Sequence, residues 1–136
     1  MLASAIWLKN RPDGNGKVGV TGFCYGGGVA NNLAVRMGAD LAAAVPFYGR
    51  MPTNAADIAK IKAAILVHHG ATDATLANAW PAYDAALKAA GVTHEGYVYE
   101  GAGHGFNNDA TAQRYNEAAS KLAMQRTIAW FKKYLA

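Results

Sequence analysis

The sequence predicts an α/β fold, a three-layer sandwich in which helices cover both faces of a mostly parallel sheet. Three observations point there. Short apolar or β-branched runs alternate with helix-like segments, the pattern of βαβ units. The length of 136 residues suits one domain spanning 1–136. Hydrophobic residues make up 52% and charged residues 16%. That is enough apolar side chain for a core and too little charge for a disordered polymer.

Each element has its own signal. Residues 3–9 (ASAIWLK) read as the end of a helix, stopped by Pro12-Asp13-Gly14. Residues 17–23 (KVGVTGF) form a short strand that runs into glycines. Residues 28–37 predict a helix, with Gly38 as its stop. Residues 41–48 (LAAAVPFY) are apolar enough for a buried strand, and residues 57–62 predict a short helix or turn. Residues 63–68 (AAILVH) are a second buried strand. Residues 81–90 predict a helix, with Pro81 suited to its first turn and Gly91 ending it. Residues 94–99 (HEGYVY) are strand-like by β-propensity rather than apolarity. Residues 115–135 predict a long amphipathic helix, with Leu122, Arg126, Ala129 and Trp130 recurring at threes and fours. The count is four strands, near 18–23, 41–48, 63–68 and 94–99.

Composition excludes several function classes. The longest apolar stretch, 41–48, contains Pro46 and falls far short of the ~20 residues of a membrane helix. No basic residue precedes the apolar start, so no secretory signal is expected. A single cysteine excludes an internal disulfide and a multi-cysteine zinc site, and it fits a cytoplasmic location. The net charge is +4, but the arginines and lysines are scattered and only Lys132-Lys133 are adjacent. Neither a nucleic-acid nor a membrane partner is expected.

The lone cysteine sits in Gly22-Phe23-Cys24-Tyr25-Gly26, with Gly27 and Gly28 following. This is G-x-C-x-G, the cysteine form of the nucleophile elbow. A strand turns sharply into a helix there, and glycines flank the turn because side chains two positions either side would collide. The helix start favours a thiolate, and the Tyr25 amide is a candidate oxyanion donor. A cysteine nucleophile needs a base, and the base needs an orienting acid. Asp73 follows the strand at 63–68 in HHGATD, and His104 follows the strand at 94–99 in GAGHGF. Both lie where parallel strands end, the edge that carries ligand sites in α/β sheets. The order Cys24, Asp73, His104 matches that of α/β-hydrolases. Phe23, Tyr48 and Phe106 lie near strand ends and are candidate walls of an aromatic substrate pocket. Neighbouring strand residues point to opposite faces, so His68 and His69 do not pair as ligands and no metal is expected.

The stretches KVGVTGFCYGGG, HHGATD and YEGAGHGFNND, with the helix from Tyr115 to Trp130-Phe131, resemble the dienelactone hydrolase family of carboxymethylenebutenolidase-like α/β-hydrolases. The resemblance covers nearly the whole chain. It implies a truncated α/β-hydrolase fold and a triad of Cys24, His104 and Asp73. It implies hydrolysis of a small ester or lactone through a thioester acyl-enzyme, with no metal or organic cofactor. Two departures stand out. Family members carry further strands before the elbow, with the loop that gives the second oxyanion donor and a glutamate that governs the resting thiol. They also place an arginine shortly after the histidine, whereas here Gly105-Phe106-Asn107-Asn108-Asp109 follows and the next arginine is Arg114. The strand at 18–23 would be central in that fold. Its bare edge here predicts a homo-oligomer through edge pairing. The alternative to an enzyme is a catalytically impaired remnant that persists as an oligomeric or binding module.

Overall fold

In the computed structural model, which describes residues 1–136, β1 (Gly19–Phe23) forms one edge of a four-stranded sheet. Next to it come β2 (Ala43–Phe47), β3 (Ala64–Gly70) and β4 (His94–Tyr99), in sequence order and all parallel. The helices are α1 (Leu2–Lys9), α2 (Tyr25–Met37), α3 (Ala55–Ile58), α4 (Ala74–Ala89) and α5 (Glu117–Leu135), with a 3-10 turn at Gly38–Asp40. This is the three-layer α/β arrangement expected from the sequence.

Crossovers between parallel strands are right-handed. In a sheet whose order never reverses, the linking helices therefore fall on one face. Leu33 and Met37 of α2, Ile58 of α3, and Tyr83 and Leu87 of α4 pack there against Ala44, Ile65 and Val67. The chain after β4 crosses to the other face, where Ala119, Ala123 and Trp130 of α5 cover Val45, Phe47 and Leu66. Strand alternation accounts for the division along β3: Ile65 and Val67 point one way, Ala64 and Leu66 the other. The β1 edge has no strand partner within this chain. No helix is long and apolar enough to cross a membrane.

Two helix starts differ from the sequence reading by three residues or more. Helix α4 begins at Ala74, so Pro81 lies inside it rather than in its first turn. Ala74, Leu76, Ala77 and Ala79 are good helix formers, and the amides of Leu76 and Ala77 both bond the Asp73 carbonyl, at 3.1 and 2.9 Å. An interior proline costs about 3 kcal/mol. Tertiary packing holds the helix across it: the Trp80 ring lies so close on Gly96 that a Cβ there would come within 2.0 Å. Helix α2 begins at Tyr25 rather than Gly28, because the elbow itself is the helix start. Pro46 sits in β2 between two neighbours, and the register with β3 resumes at Phe47 opposite His68.

Candidate active site

Cys24 is held at φ 53°, ψ −116°, a backbone state that side chains rarely adopt. Tyr48, the next residue after β2, is also at positive φ, 35°. Phe23 and Phe47 pair in register, so the two strained residues stand side by side at the sheet's carboxyl edge. Such strain costs of order 1–3 kcal/mol and is held by the surroundings. At Cys24 the hold is visible. Its N–H donates to the Phe47 carbonyl at 3.1 Å, and its carbonyl accepts from Gly28 at 3.2 Å.

The glycine requirement differs in detail from the flanking rule. A Cβ on Gly22 would lie 2.1 Å from the Gly26 carbonyl oxygen, so that position must be glycine. A Cβ on Gly26 would meet nothing, whereas one on Gly27 would lie 2.5 Å from the Phe47 carbonyl oxygen. Close approach of α2 to β2 therefore fixes Gly27, not Gly26.

Tyr25 opens α2, so its N–H is one of the first-turn donors without an intrahelical partner. The thiol of Cys24 is solvent-accessible. Partial burial nonetheless pushes it up from the ordinary cysteine range, the Arg114 guanidinium pulls it back down, and the Asp73 carboxylate adds to the rise. Spacing gave no hint of Arg114. The loop after β4 brings it back against Gly105, where a Cβ would lie 3.5 Å from its Cδ.

Asp73 occupies the N-cap position of α4, yet its side chain makes no capping bond. Its Oδ2 instead accepts from His104 Nδ1 at 2.7 Å. Losing a cap costs about 1 kcal/mol, so the helix start forgoes stability that this pairing uses otherwise. The Asp73 side chain is 12% exposed and that of His104 45%. With Nδ1 engaged, Nε2 is the free ring nitrogen.

The three aromatic candidates have different surroundings. Phe23 is partly exposed and packs tilted against Phe47 at 4.7 Å between centroids. Tyr48 is buried 5.1 Å from the His104 ring. Burial pushes its hydroxyl up to about 12, the Cys24 charge adds to this, and the Asn107 backbone N–H opposes it. Phe106 is fully buried between Tyr48 and Tyr99, so it backs the histidine loop and is not an open wall. The cavity beside Cys24, about 650 Å³, is lined by Tyr25, Asn31, Asn32, Arg50 and Thr53 among others. Arg50 and Asn31 were missed in the sequence, although Arg50 follows the end of β2 and position alone could have flagged it. His68 and His69 point to opposite faces. His68 meets Thr127 and Tyr99, and His69 meets the Met51 sulfur.

The chain is similar to several known proteins. A Salmonella typhimurium protein, named provisionally as a carboxymethylenebutenolidase, is 32% identical across 96% of this chain and 51% of its own length. Protein usf of Aquifex pyrophilus is 35% identical across 98% of this chain and 58% of its own. The crystal structure of a dienelactone hydrolase-like promiscuous phosphotriesterase from metagenomic libraries superposes with a TM-score of 0.87 at 26% identity, covering 98% of this chain and 59% of that one. The chain thus spans about half the length of the curated relatives it matches. The sequence model of the dienelactone hydrolase family matches residues 1–135, and on that match the chain belongs to the dienelactone hydrolase family.

Proposed function

We propose that the chain hydrolyses small esters or lactones, with Cys24 as nucleophile, His104 as general base and acid, and Asp73 as the orienting carboxylate. One observation carries the reading: Asp73 stands at a helix start but gives its carboxylate to His104. A remnant without chemistry has no use for that exchange, which weighs against the non-enzymatic alternative.

The steps follow from the groups present. The Cys24 thiol rests protonated, because burial raises it above the ordinary range. His104 Nε2 takes the proton as Sγ adds to the substrate carbonyl carbon, and Asp73 stabilises the imidazolium. The Tyr25 N–H receives the developing oxyanion. The C–O bond then breaks, and the alkoxide leaves with the proton from His104. Water, deprotonated by His104, attacks the thioester carbon. The C–S bond breaks, the acid departs, and His104 returns its proton to the Cys24 sulfur. One such oxyanion donor is worth ~10²–10³ in rate. In the same reading, the open edge of β1 pairs with a second copy of the chain.

The test is p-nitrophenyl acetate hydrolysis by the purified protein beside Cys24→Ala. Turnover is expected to vanish in the variant, and turnover that persists overturns the reading. Light scattering at micromolar concentration is expected to give a dimer or larger species; a monomer removes the pairing.

A further inference from the structure

A second cavity, of about 310 Å³, lies next to the one that holds Cys24. Met51, Ile58, Leu76, Ala79, Tyr83 and Ala86 line it, and Arg50 is its one charged lining residue. Residues 50–53 line both cavities and so form their common wall. Two buried groups anchor that wall. The Asn31 Nδ2–H donates to the Arg50 carbonyl at 3.0 Å, and the Tyr83 hydroxyl donates to Asn31 Oδ1 at 3.3 Å. Asn31 is 1% exposed and Tyr83 3%. Asn31 lines the first cavity and Tyr83 the second, so one hydrogen-bonded chain ties the two chambers together. A chamber fixed in this way costs little ordering when a ligand enters. The wall's adaptable member is Met51, an unbranched side chain whose sulfur lies 3.4 Å from His69 Nε2.

Apolar space beside a reacting centre is where the non-reacting part of a substrate gains binding. We propose that the acyl chain of the substrate runs from Cys24 across the 50–53 loop into the apolar cavity, so that the site takes straight-chain acyl esters longer than acetates. This rests on Cys24 as the nucleophile. The acyl half, not the alcohol half, is assigned because it stays bonded to sulfur from the first chemical step until the second releases it. The alcohol must leave to solvent before water attacks, and the solvent-accessible side at Cys24 provides that exit.

Binding of p-nitrophenyl acetate, butyrate and hexanoate to Cys24→Ala, which cannot turn them over, tests the chamber by calorimetry. Affinity is expected to rise about fourfold per added methylene until the cavity is full. Ala79→Phe or Leu76→Phe, each adding bulk to the lining, is expected to flatten the series; two variants guard against one failing to fold. A flat series in Cys24→Ala overturns the inference, as does a steep one that both fillings leave unchanged. A series that depends on alcohol length in hexyl acetate, but not on acyl length, also overturns it. Wild-type turnover of the same esters is read separately. Turnover with a flat binding series removes the chamber and keeps the nucleophile, whereas a steep series without turnover removes the nucleophile and keeps the chamber.

Discussion

His68 and His69 sit inside β3, His104 sits in the loop after β4, and the molecule treats the two places in opposite ways. His68 is wholly buried and both ring nitrogens are occupied. The Thr127 hydroxyl donates to the Ala123 carbonyl at 2.8 Å, so its oxygen accepts from His68 Nε2–H at 3.1 Å. Nδ1 then accepts from the Tyr99 hydroxyl at 2.9 Å. Burial foremost, with the Arg126 charge behind it, pushes the ring down to about 3. His69 is pushed down to about 4, again mainly by burial. Both stay neutral and hold the sheet to its helices. His104 is half open to solvent, with a carboxylate on one nitrogen and the other nitrogen free. The same side chain is a packing unit in one place and, in the proposed mechanism, the proton carrier in the other, and the difference lies in partner charge and access.

The largest expected effects come from swapping these roles by mutation. His104→Ala is expected to lower kcat/KM by ~10²–10⁴. Folding stability should fall less than in His68→Ala, because the ring is half exposed and only its pairing with Asp73 is lost. His68→Ala should do the reverse. It opens a cavity and leaves the Tyr99 and Thr127 hydroxyls short of a partner, at a cost of about 2–4 kcal/mol in denaturant unfolding. Activity per folded molecule should stay near that of the parent. The contrast breaks if His68→Ala silences turnover without destabilising the fold.

Acid titration separates the two places next. The folded pKa values of His68 and His69 lie below the ordinary histidine value of about 6.5. The unfolded chain therefore binds more protons between about pH 3 and 6.5, and stability rises with pH across that window. It is complete above about 6.5 and falls as the pH drops toward the folded values of about 3 and 4. Thermal melts at pH 7, 6, 5 and 4 should show a steep loss below 6.5, reduced in His69→Gln. A melting temperature that is flat from pH 7 to 5 would refute the buried-neutral account.

What could be read from the chain follows the same division. The four strands, the elbow and the chain order of Cys24, Asp73 and His104 were legible because strand ends and glycine turns are local signals. Both histidines of HHGATD were correctly set apart as facing opposite sides, since alternation is a property of a strand alone. The start of α4 was not legible: Pro81 is a strong local cue, and it loses to the packing of Trp80 on Gly96, a contact between distant residues. Gly26 against Gly27 is the same lesson at finer scale, because only the approach of α2 to Phe47 says which glycine is needed. Phe106 looked like a pocket wall from its place beside His104, but burial against Tyr48 and Tyr99 makes it support. Arg114 stood in the sequence only as the next arginine after His104, and its influence on Cys24 depends on a loop fold that spacing does not encode.

That arginine provides the finest discrimination between the two places. Arg114 acts on Cys24 and lowers its pKa, whereas Arg126 acts on His68 and donates to the Tyr99 hydroxyl at 3.1 Å. Only the thiolate reacts with iodoacetamide. Removing the Arg114 charge lets burial and Asp73 raise Cys24 further, so less thiolate exists at any pH below its pKa. Arg114→Gln should therefore slow alkylation at pH 7.5. The rate profile should also move to higher pH, and the gap should narrow in 1 M salt as that screens the interaction. Arg126→Gln should leave the alkylation rate where it was and soften the acid melt instead, because its charge belongs to the buried histidine. Equal slowing by both substitutions would mean that Cys24 responds to the net charge of the molecule, and Arg114 and Arg126 would then not be divided between the thiol and the buried His68.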